Sequence, residues 1–267
     1  VTKELKYSWA QCWDDVMQGA MVLYARSTKD PTYIKQVQKH LDYMTVGYDG
    51  NTVAKLPGGL VYLDTWGCLR YATNIGFIAA VYSDTVIDDP VLIARYKELY
   101  ETQINYCLGK NPDNRSYVVG YGNNYPVNPH HRTAHGSWGN SIQEPEQNRH
   151  LLYGALVGGP TQNGTYEDNR ENFINNEVAT DYNAGYTALL CKMVSEYGGT
   201  ALEDFPPKEV KTEPEFFVEA SVGTTTTQST VVKMNLANHS AWPARVVNNL
   251  HLTTIWTYLR FSQPANL

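Results

Sequence analysis

The sequence lacks any run of about 20 apolar residues, which is the length that a membrane-spanning helix needs. It also lacks an excess of basic residues, because 21 Lys and Arg stand against 27 Asp and Glu for a formal net charge of −6. These absences argue against a membrane partner and against a nucleic-acid partner, whose binding proteins usually carry a basic patch or stripe. With 42% hydrophobic and 18% charged residues, the composition is that of a folded protein rather than a disordered one.

Cysteine is scarce and scattered, at Cys12, Cys68, Cys107 and Cys191, with no Cys-x-x-Cys pair. A disulfide framework or a zinc site is therefore not expected, and we predict four buried thiols. Phenylalanine is scarce as well, with 6 residues against 20 Tyr and 6 Trp. Most of the aromatic surface thus carries a hydrogen-bonding tip, which suits core edges or a wet, ring-shaped ligand such as a sugar.

Helical signals dominate residues 13–108. Asp30-Pro31 and Asp89-Pro90 each place an Asp at the N-cap and a Pro at the first helical position. Residues 67–82 are nearly all apolar, which predicts a buried helix. A last helix is predicted over residues 183–197, where a pair of glycines ends it.

The helical period disappears between residues 109 and 182, where Asn, Gly, His and Pro become frequent. A loop region of this length inside a compact domain is usually functional, and loops on a rigid scaffold are where sites tend to lie.

The remainder of the chain has a β pattern. Strands are predicted over residues 216–222 and 231–236, with a turn at 224–227. The predicted organisation is an all-α domain over residues 1–200, a Pro-containing linker over 201–214 and a partial β-sandwich over 215–267, because a complete sandwich needs about 100 residues.

Several carboxylates lie close together between residues 166 and 184, among aromatic and amide side chains. One interpretation is a helix N-terminus, where acidic side chains complement the helix dipole. The other is cleavage of a glycosidic bond, which requires two carboxyl groups in unlike environments.

A second polar segment spans residues 116–132 and ends in Pro129-His130-His131-Arg132. The spacing of His131 and His135 would suit a metal on a helix, but the flanking Pro129 and glycines make such a helix improbable. Capping and loop hydrogen bonds are one alternative, and hydrogen bonds to sugar hydroxyls are the other.

Both segments resemble the two signature regions of family 9 glycoside hydrolases, the inverting endoglucanases and cellulases. The blocks at residues 7–15, 63–71 and 154–160 are similar to the same family, so the resemblance covers about residues 5–200. The matching signature residues are Ser116, Gly122, Asn124, Pro129, His130 and Arg132 in the first region, and Tyr166, Asp168, Phe173, Glu177, Ala179, Asn183 and Ala184 in the second.

The tail resembles a different family. Residues 206–210, 216–220 and 238–245 look like the opening of a family 3 carbohydrate-binding module, a module that is often fused to these hydrolases. The match is poor after about residue 250, so the resemblance implies a truncated module.

The resemblance implies a site. Glu177 matches the general acid that protonates the departing glycosidic oxygen, and Asp168 and His130 match polar residues that we group with it as catalytic. Substrate-binding roles are implied for residues that match aromatic platforms or other cleft positions: Trp9, Trp66, Arg70, Tyr71, Arg132, Tyr182 and Asp15.

A structural calcium ion at Asp14 is also implied, while no cofactor is expected for the chemistry itself. For Asp14 and Asp15, helix capping is an equally good interpretation. The resemblance further implies a secreted protein that acts on β-1,4-glucan, although the sequence begins at Val1 without a basic or apolar leader.

One feature departs from the family. Its general base comes from an Asp-x-x-Asp motif in the N-terminal half, and no such motif precedes the blocks found here. The expected fold is the second half of an (α/α)6 barrel, with the missing half as a partner.

Three functions remain to be weighed. The first is an endoglucanase whose acid lies on this chain, and the second is a glucan-binding fragment without catalysis because the base motif is absent. The third, a hydrolase with a metal on His130, His131 and His135, is the least favoured.

Overall fold

The computed structural model describes residues 6–137, 139–210, 214–240 and 245–253. The chain divides into two units, Val1–Glu213 and Pro214–Leu267. The first unit contains seven helices and one short hairpin among its described residues, and the second contains a two-stranded sheet. The elements are α1 Met17–Thr28, α2 Pro31–Met44, β1 Ala54–Lys55, β2 Val61–Tyr62, α3 Cys68–Thr85, α4 Pro90–Cys107, α5 Arg132–His135, α6 Phe173–Asn176, α7 Thr180–Tyr197, β3 Phe216–Thr225 and β4 Thr230–Asn238.

The two predicted Asp-Pro helix starts are confirmed. The Asp30 carboxylate accepts a hydrogen bond from the Thr32 N–H at 2.8 Å, and Asp89 accepts one from the Val91 N–H, also at 2.8 Å. Each bond satisfies one of the orphan amides at a helix start. The N-terminal starts of α2 and α4 therefore follow directly from local sequence.

Helix α3 lies at the centre of the first unit, where it packs against α1, α4 and α7. Of its 18 residues 14 are buried, and the other four all lie in its C-terminal half: Phe77, Val81, Asp84 and Thr85. Gly76 permits the close approach of α7, because a Cβ at this position would lie 2.8 Å from Leu189 Cδ1. The predicted buried helix is confirmed, and it forms the rigid base on which the site is built.

Two local predictions were wrong. The helical interpretation of residues 13–108 missed the antiparallel pair β1–β2, whose turn contains Gly58 and Gly59 at φ of +90° and +85°. Left-handed backbone at two successive positions ends any helix and favours glycine. The thiol prediction failed at Cys191, which is exposed on α7, while the other three cysteines are buried.

The loop region predicted over residues 109–182 is confirmed for most of its length, because among its described residues only the single turns α5 and α6 and the first residues of α7 are helical. The loops have their own core. Tyr117, Val119, Leu156 and Val157 are fully buried, and the Val119 N–H donates to the Ala155 carbonyl at 2.9 Å. This core makes the loop region a defined scaffold rather than a loose connection.

Residues 201–210 belong to the first unit. The ring centroids of Phe205 and Tyr153 are 5.4 Å apart, and Glu209 pairs with His150. In the part of the chain that the structure describes, no helix has both the length and the apolar character to cross a bilayer.

The second unit pairs β3 and β4 in antiparallel register, with Val218 opposite Leu236 and Ala220 opposite Met234. Both predicted strands are confirmed, but β3 continues to Thr225, so the turn lies at residues 226–229. Two strands do not test the predicted sandwich, which stays a prediction, and its residues 254–267 lie outside the described ones.

Candidate active site

Glu177 follows the last residue of α6, and its N–H donates to the Phe173 carbonyl at 3.1 Å. Its half-buried carboxyl group is held by a single oxygen. Glu177 Oε2 accepts one hydrogen bond from Trp66 Nε1 at 3.0 Å and a second from the Tyr182 hydroxyl at 3.1 Å. Among the described residues, no hydrogen bond involves Oε1, so this oxygen is available to another group.

Trp66 reaches Glu177 from the loop before α3. The Asp64 carboxylate fixes that loop by accepting from the Trp66 N–H at 2.9 Å, and the Phe173 ring lies 5.0 Å from the indole. The indole is nevertheless 44% exposed. A supported aromatic ring with an open face is a suitable platform for a sugar ring.

Tyr182 lies in the first turn of α7 and is only 1% exposed. Burial raises the pKa of its hydroxyl, so the group keeps its proton and donates to Glu177. Gly67 makes room for this ring, because a Cβ there would lie 2.5 Å from the Tyr182 hydroxyl oxygen. The φ of +66° at Gly67 independently favours glycine.

Arg70, in the first turn of α3, lies behind these two donors and is 8% exposed. Its NH2 donates to the Trp66 carbonyl at 3.0 Å and to the Tyr71 hydroxyl at 2.8 Å. Its NH1 pairs with Asp181 at 3.2 Å. The sequence interpretation gave Asp181 no role, although it lies one residue before Tyr182 in the predicted carboxylate cluster.

His130 is joined to the acid through the backbone, because its N–H donates to the Asn176 carbonyl at 2.7 Å. His130 Nδ1 lies 2.8 Å from the carbonyl oxygen of Arg170. A carbonyl only accepts hydrogen bonds, so Nδ1 carries a hydrogen and Nε2 is left to face other partners. The imidazole is therefore oriented by its surroundings.

Asp168 is tied to the same segment. Its carboxylate accepts from the Val127 N–H at 2.7 Å, from the Asn128 N–H at 3.2 Å and from Asn176 Nδ2 at 2.9 Å. Three donors occupy the carboxylate within the protein, so Asp168 fixes the loop that leads to His130. Asn176 was missed by the sequence interpretation, and its only signal was its place directly before Glu177.

A cavity of about 340 Å³ opens beside His130. Arg132 is exposed at this cavity and donates to Asn140 Oδ1 at 2.8 Å. The side chains that line it include two arginines, three histidines and several hydroxyl or amide groups: His130, His131, Arg132, His135, Ser137, Asn140, Ser141, Ile142 and Arg170. Such groups suit hydrogen bonds to hydroxyls.

The histidines of this cavity are engaged in local bonds. His131 Nδ1 accepts from the Ala134 N–H at 3.1 Å, and His135 Nε2 lies 2.9 Å from the Pro145 carbonyl oxygen. Within the described ranges, no group of three or more His, Cys, Asp or Glu side chains is placed to hold a metal ion. A metal-dependent reaction on these histidines has no support in this geometry.

The remaining predicted residues, Trp9, Asp14 and Asp15, make other contacts. The Trp9 ring is 5.2 Å from that of Tyr71, which links it to Arg70. Asp15 accepts from the N–H of Met17, the first residue of α1, at 3.0 Å, and Asp14 accepts from the Cys12 thiol at 3.0 Å. Among the described residues, neither aspartate forms a hydrogen bond or an ion pair with Glu177.

The calcium assignment at Asp14 stays a prediction. Asp14 offers one carboxylate, and no set of three acidic, imidazole or thiol side chains gathers there among the described residues. A calcium ion would need backbone carbonyls, amides or water as further ligands. No step of the chemistry depends on it.

Comparisons with known proteins agree with this geometry. Residues 2–190 match the family described as glycosyl hydrolase family 9. Among curated relatives, endoglucanase B of Cellulomonas fimi is 49% identical over 91% of this chain and 23% of its own length. Endoglucanase A of Bacillus pumilus is 49% identical over 90% of this chain and 37% of its own length. The chain thus spans well under half of these relatives.

Solved structures give the same result. Endoglucanase CelQ from Clostridium thermocellum, complexed with cellotriose, superposes with a TM-score of 0.84 at 54% identity, covering 91% of this chain and 40% of that one. The same enzyme is known with cellotetraose. The cellulase Cel9M of C. cellulolyticum, with cellobiose, gives 0.62 at 36% identity over 72% of this chain and 42% of its own.

Proposed function

This chain belongs to glycosyl hydrolase family 9, and from that premise we propose that it carries the acid side of an endo-β-1,4-glucanase site. Its helical unit is part of an (α/α)6 barrel. We assign it to the second half of that barrel, with the first half as its partner, because the relatives it matches are much longer.

The observation that carries the proposal is the hydrogen bonding of Glu177. Both donors, Trp66 Nε1 and the Tyr182 hydroxyl, reach the same oxygen, Oε2. An oxygen that accepts two hydrogen bonds is a poor place for a proton, so in the acid form the proton belongs on Oε1. A proton on Oε1 is free of protein partners among the described residues and is available to the glycosidic oxygen of a bound glucan.

In the proposed reaction, water attacks the anomeric carbon while Glu177 Oε1 protonates the departing oxygen. The bond between the anomeric carbon and that oxygen breaks, and the configuration inverts. Inverting enzymes hold acid and base about 6.5–9.5 Å apart to leave room for the water. The base that takes the proton of the water belongs, in this proposal, to the part of the protein that the longer relatives have and these 267 residues do not.

The substrate is proposed to be a neutral β-1,4-glucan. The open face of Trp66 offers stacking, and Arg132 and the polar cavity offer donors to hydroxyls. The cello-oligosaccharides bound by the structural relatives support this substrate class. The half-buried Trp9, which packs against the buried Tyr71, is proposed as a further aromatic contact for the glucan.

Other expectations remain proposals. We infer that the second unit is part of a family 3 carbohydrate-binding module, which its antiparallel hairpin supports. Secretion and a calcium ion at Asp14 are proposed on the family resemblance alone. Calcium would be tested by the change in thermal unfolding on chelation, and an unchanged midpoint would contradict it.

The test of the main proposal compares Glu177→Gln with Glu98→Gln, a matched change of an exposed glutamate on α4. Because the base lies elsewhere, cellopentaose is incubated with azide, a nucleophile that attacks the anomeric carbon without losing a proton. Glu177 protonates the leaving oxygen and the product is a glycosyl azide of inverted configuration. We expect Glu177→Gln to lower its formation by about 100-fold or more, since the acid contributes 10²–10⁴-fold.

Equal rates in wild type and Glu177→Gln would contradict the proposal. Absence of product in every variant, with calorimetry still showing cellotetraose binding, would instead leave glucan binding without catalysis as the function of this chain. Glu98→Gln also removes one negative charge, so a rate loss that appeared equally in this variant would be a general charge effect and not a loss of the acid.

A further inference from the structure

Arg70 joins the two residues that hold the candidate acid. Its guanidinium lies between the rings of Tyr71 and Tyr182, at 4.5 and 4.9 Å from their centroids. It also contacts the backbone of Trp66 and the carboxylate of Asp181. We propose that Arg70 is a positioning residue that keeps both hydrogen-bond donors on Glu177 Oε2, an inference that rests on the acid role of Glu177.

The first branch runs through Trp66. Arg70 NH2 donates to the Trp66 carbonyl at 3.0 Å, and the indole of the same residue donates to Glu177. A tryptophan at the end of a loop has two free side-chain torsions and a mobile backbone. The bond to Arg70, together with the Asp64 cap on the Trp66 N–H, fixes the backbone at both of its polar groups.

The second branch runs through α7. Arg70 belongs to α3, and its NH1 pairs with Asp181 in the first turn of α7. Tyr182 follows Asp181 directly, and its ring packs under the guanidinium. The ion pair therefore sets the position of the first turn of α7 against α3, and this position decides where the Tyr182 hydroxyl points.

The alternative role for Arg70, a direct donor to substrate hydroxyls, fits the geometry less well. The residue is 8% exposed, and both terminal nitrogens already donate within the protein. Among the described residues, Nε is the only nitrogen of Arg70 without a hydrogen-bond partner, and it is buried. A substrate hydroxyl would have to use one of the two N–H groups without a partner among the described residues, the buried Nε–H or the second hydrogen of NH1.

A purely structural role is the other alternative, and the chain contains a matched control for it. Arg95 pairs with Asp42 at 2.9 Å and links α4 to α2, and among the described residues it forms no hydrogen bond or ion pair with Trp66 or Glu177. Replacing Arg95 by Lys keeps the charge but removes the guanidinium geometry of a similar ion pair. General destabilisation would be the same in both variants, whereas loss of positioning would occur only at Arg70.

The experiment follows the indole N–H signal of Trp66 in the ¹⁵N-labelled chain. Trp66→Phe identifies the signal, and Glu177→Ala defines its position when the indole has no carboxylate partner. In Arg70→Lys and Arg70→Met we expect the signal to move toward the free position and its exchange with water to accelerate by about tenfold, as for the loss of one hydrogen bond. Arg95→Lys should leave the signal unchanged.

An unmoved Trp66 signal in both Arg70 variants would overturn the proposal, and so would an equal shift in Arg95→Lys. If an Arg70 variant fails to fold, Asp181→Asn keeps the arginine and removes only the ion pair, and it should give a smaller shift of the same sign. No shift in that variant would likewise count against the second branch.

A kinetic arm connects the geometry to the reaction. In the azide assay, Arg70→Lys should lower kcat by roughly tenfold to a hundredfold with little change in KM, since misplacing a catalytic group costs rate rather than binding. A change confined to KM would indicate a direct substrate contact instead. The NMR measurement needs no turnover, so failure of the proposed function would not obscure the result for Arg70.

Discussion

Two arginine–aspartate–tyrosine clusters join pairs of helices in this molecule, and they differ in where the tyrosine hydroxyl points. In the cluster between α2 and α4, Asp42 accepts from both Arg95 and the Tyr96 hydroxyl, each at 2.9 Å. In the cluster between α3 and α7, Asp181 accepts from Arg70, but the Tyr182 hydroxyl donates to Glu177 instead. The first cluster is closed on itself, whereas the second presents a donor to a third group.

The difference shows that residue types alone do not separate a structural cluster from a functional one. Both clusters contain a buried tyrosine, and burial raises the pKa of both hydroxyls, so both remain donors. What differs is the acceptor. A tyrosine hydroxyl that donates to the aspartate of its own cluster stabilises the helix pair. One that donates to a carboxyl group outside the cluster, as Tyr182 does to Glu177, orients the candidate acid. Variants that change one cluster at a time should separate the two roles.

The largest expected effect is a loss of stability in acid that begins on α2. His40 is buried on this helix, and burial lowers its pKa to about 4. The unfolded chain takes up a proton near pH 6.5 and the folded chain does not, so stability is complete above about pH 6.5 and falls as the pH decreases toward 4. The loss attributable to His40 is about 3 kcal/mol.

Urea unfolding at pH 7 and pH 4 measures this loss, and His40→Gln should remove most of it because Gln does not titrate. Since Asp42 lies on the same helix, the α2–α4 cluster should open before the α3–α7 cluster as the pH falls. Equal pH dependence in wild type and His40→Gln would contradict the assignment to this residue.

The next effect concerns Gly67, which underlies only the α3–α7 cluster. Gly67→Ala introduces a left-handed alanine, which costs about 1–2 kcal/mol, and places its Cβ 2.5 Å from the Tyr182 hydroxyl oxygen. We expect lower stability together with loss of the Tyr182–Glu177 bond and of glycosyl azide formation.

Gly154→Ala is the matched control. Gly154 also has a positive φ, of +82°, but a Cβ there would meet no atom within 4 Å. Its thermal midpoint should fall through backbone strain alone, with unchanged glycosyl azide formation. If both alanine variants reduced the reaction equally, the contact between Gly67 and Tyr182 would not be the cause.

Sequence reasoning succeeded where the signal was local. Each confirmed feature depends on neighbours within a few residues: the Asp-Pro helix starts, the buried helix α3 and the β3–β4 pair. It failed at the β1–β2 pair, whose strands have two residues each and leave no periodic pattern. It also failed at Cys191, because the exposed side of α7 is decided by its packing on α3 and not by its own sequence.

The candidate site shows the same limit. Family resemblance selected Glu177 and Trp66, but their hydrogen bond joins residues 111 positions apart, as does that between Arg70 and Asp181. No periodicity specifies such pairs, because tertiary packing of α3 on α7 creates them. The sequence therefore predicted which residues form the site. The placement of the proton on Glu177 Oε1 and the position of Arg70 between Trp66 and Tyr182 required the fold.

The smallest expected effects come from the most direct comparison, the removal of one hydroxyl from each cluster. Tyr96→Phe removes a fully buried hydroxyl and takes a donor from the partly buried Asp42, so we expect the free energy of unfolding to fall by about 1–2 kcal/mol with no change in glycosyl azide formation. Tyr182→Phe takes a donor from the half-exposed Glu177, so stability should fall by less than 1 kcal/mol, while the rate falls by about tenfold. Urea unfolding and the azide assay on the same preparations measure both quantities. Tyr96→Phe should therefore lower mainly stability, and Tyr182→Phe should lower mainly the rate. If both variants lowered stability and rate to the same extent, the direction of the tyrosine hydroxyl would not distinguish the clusters.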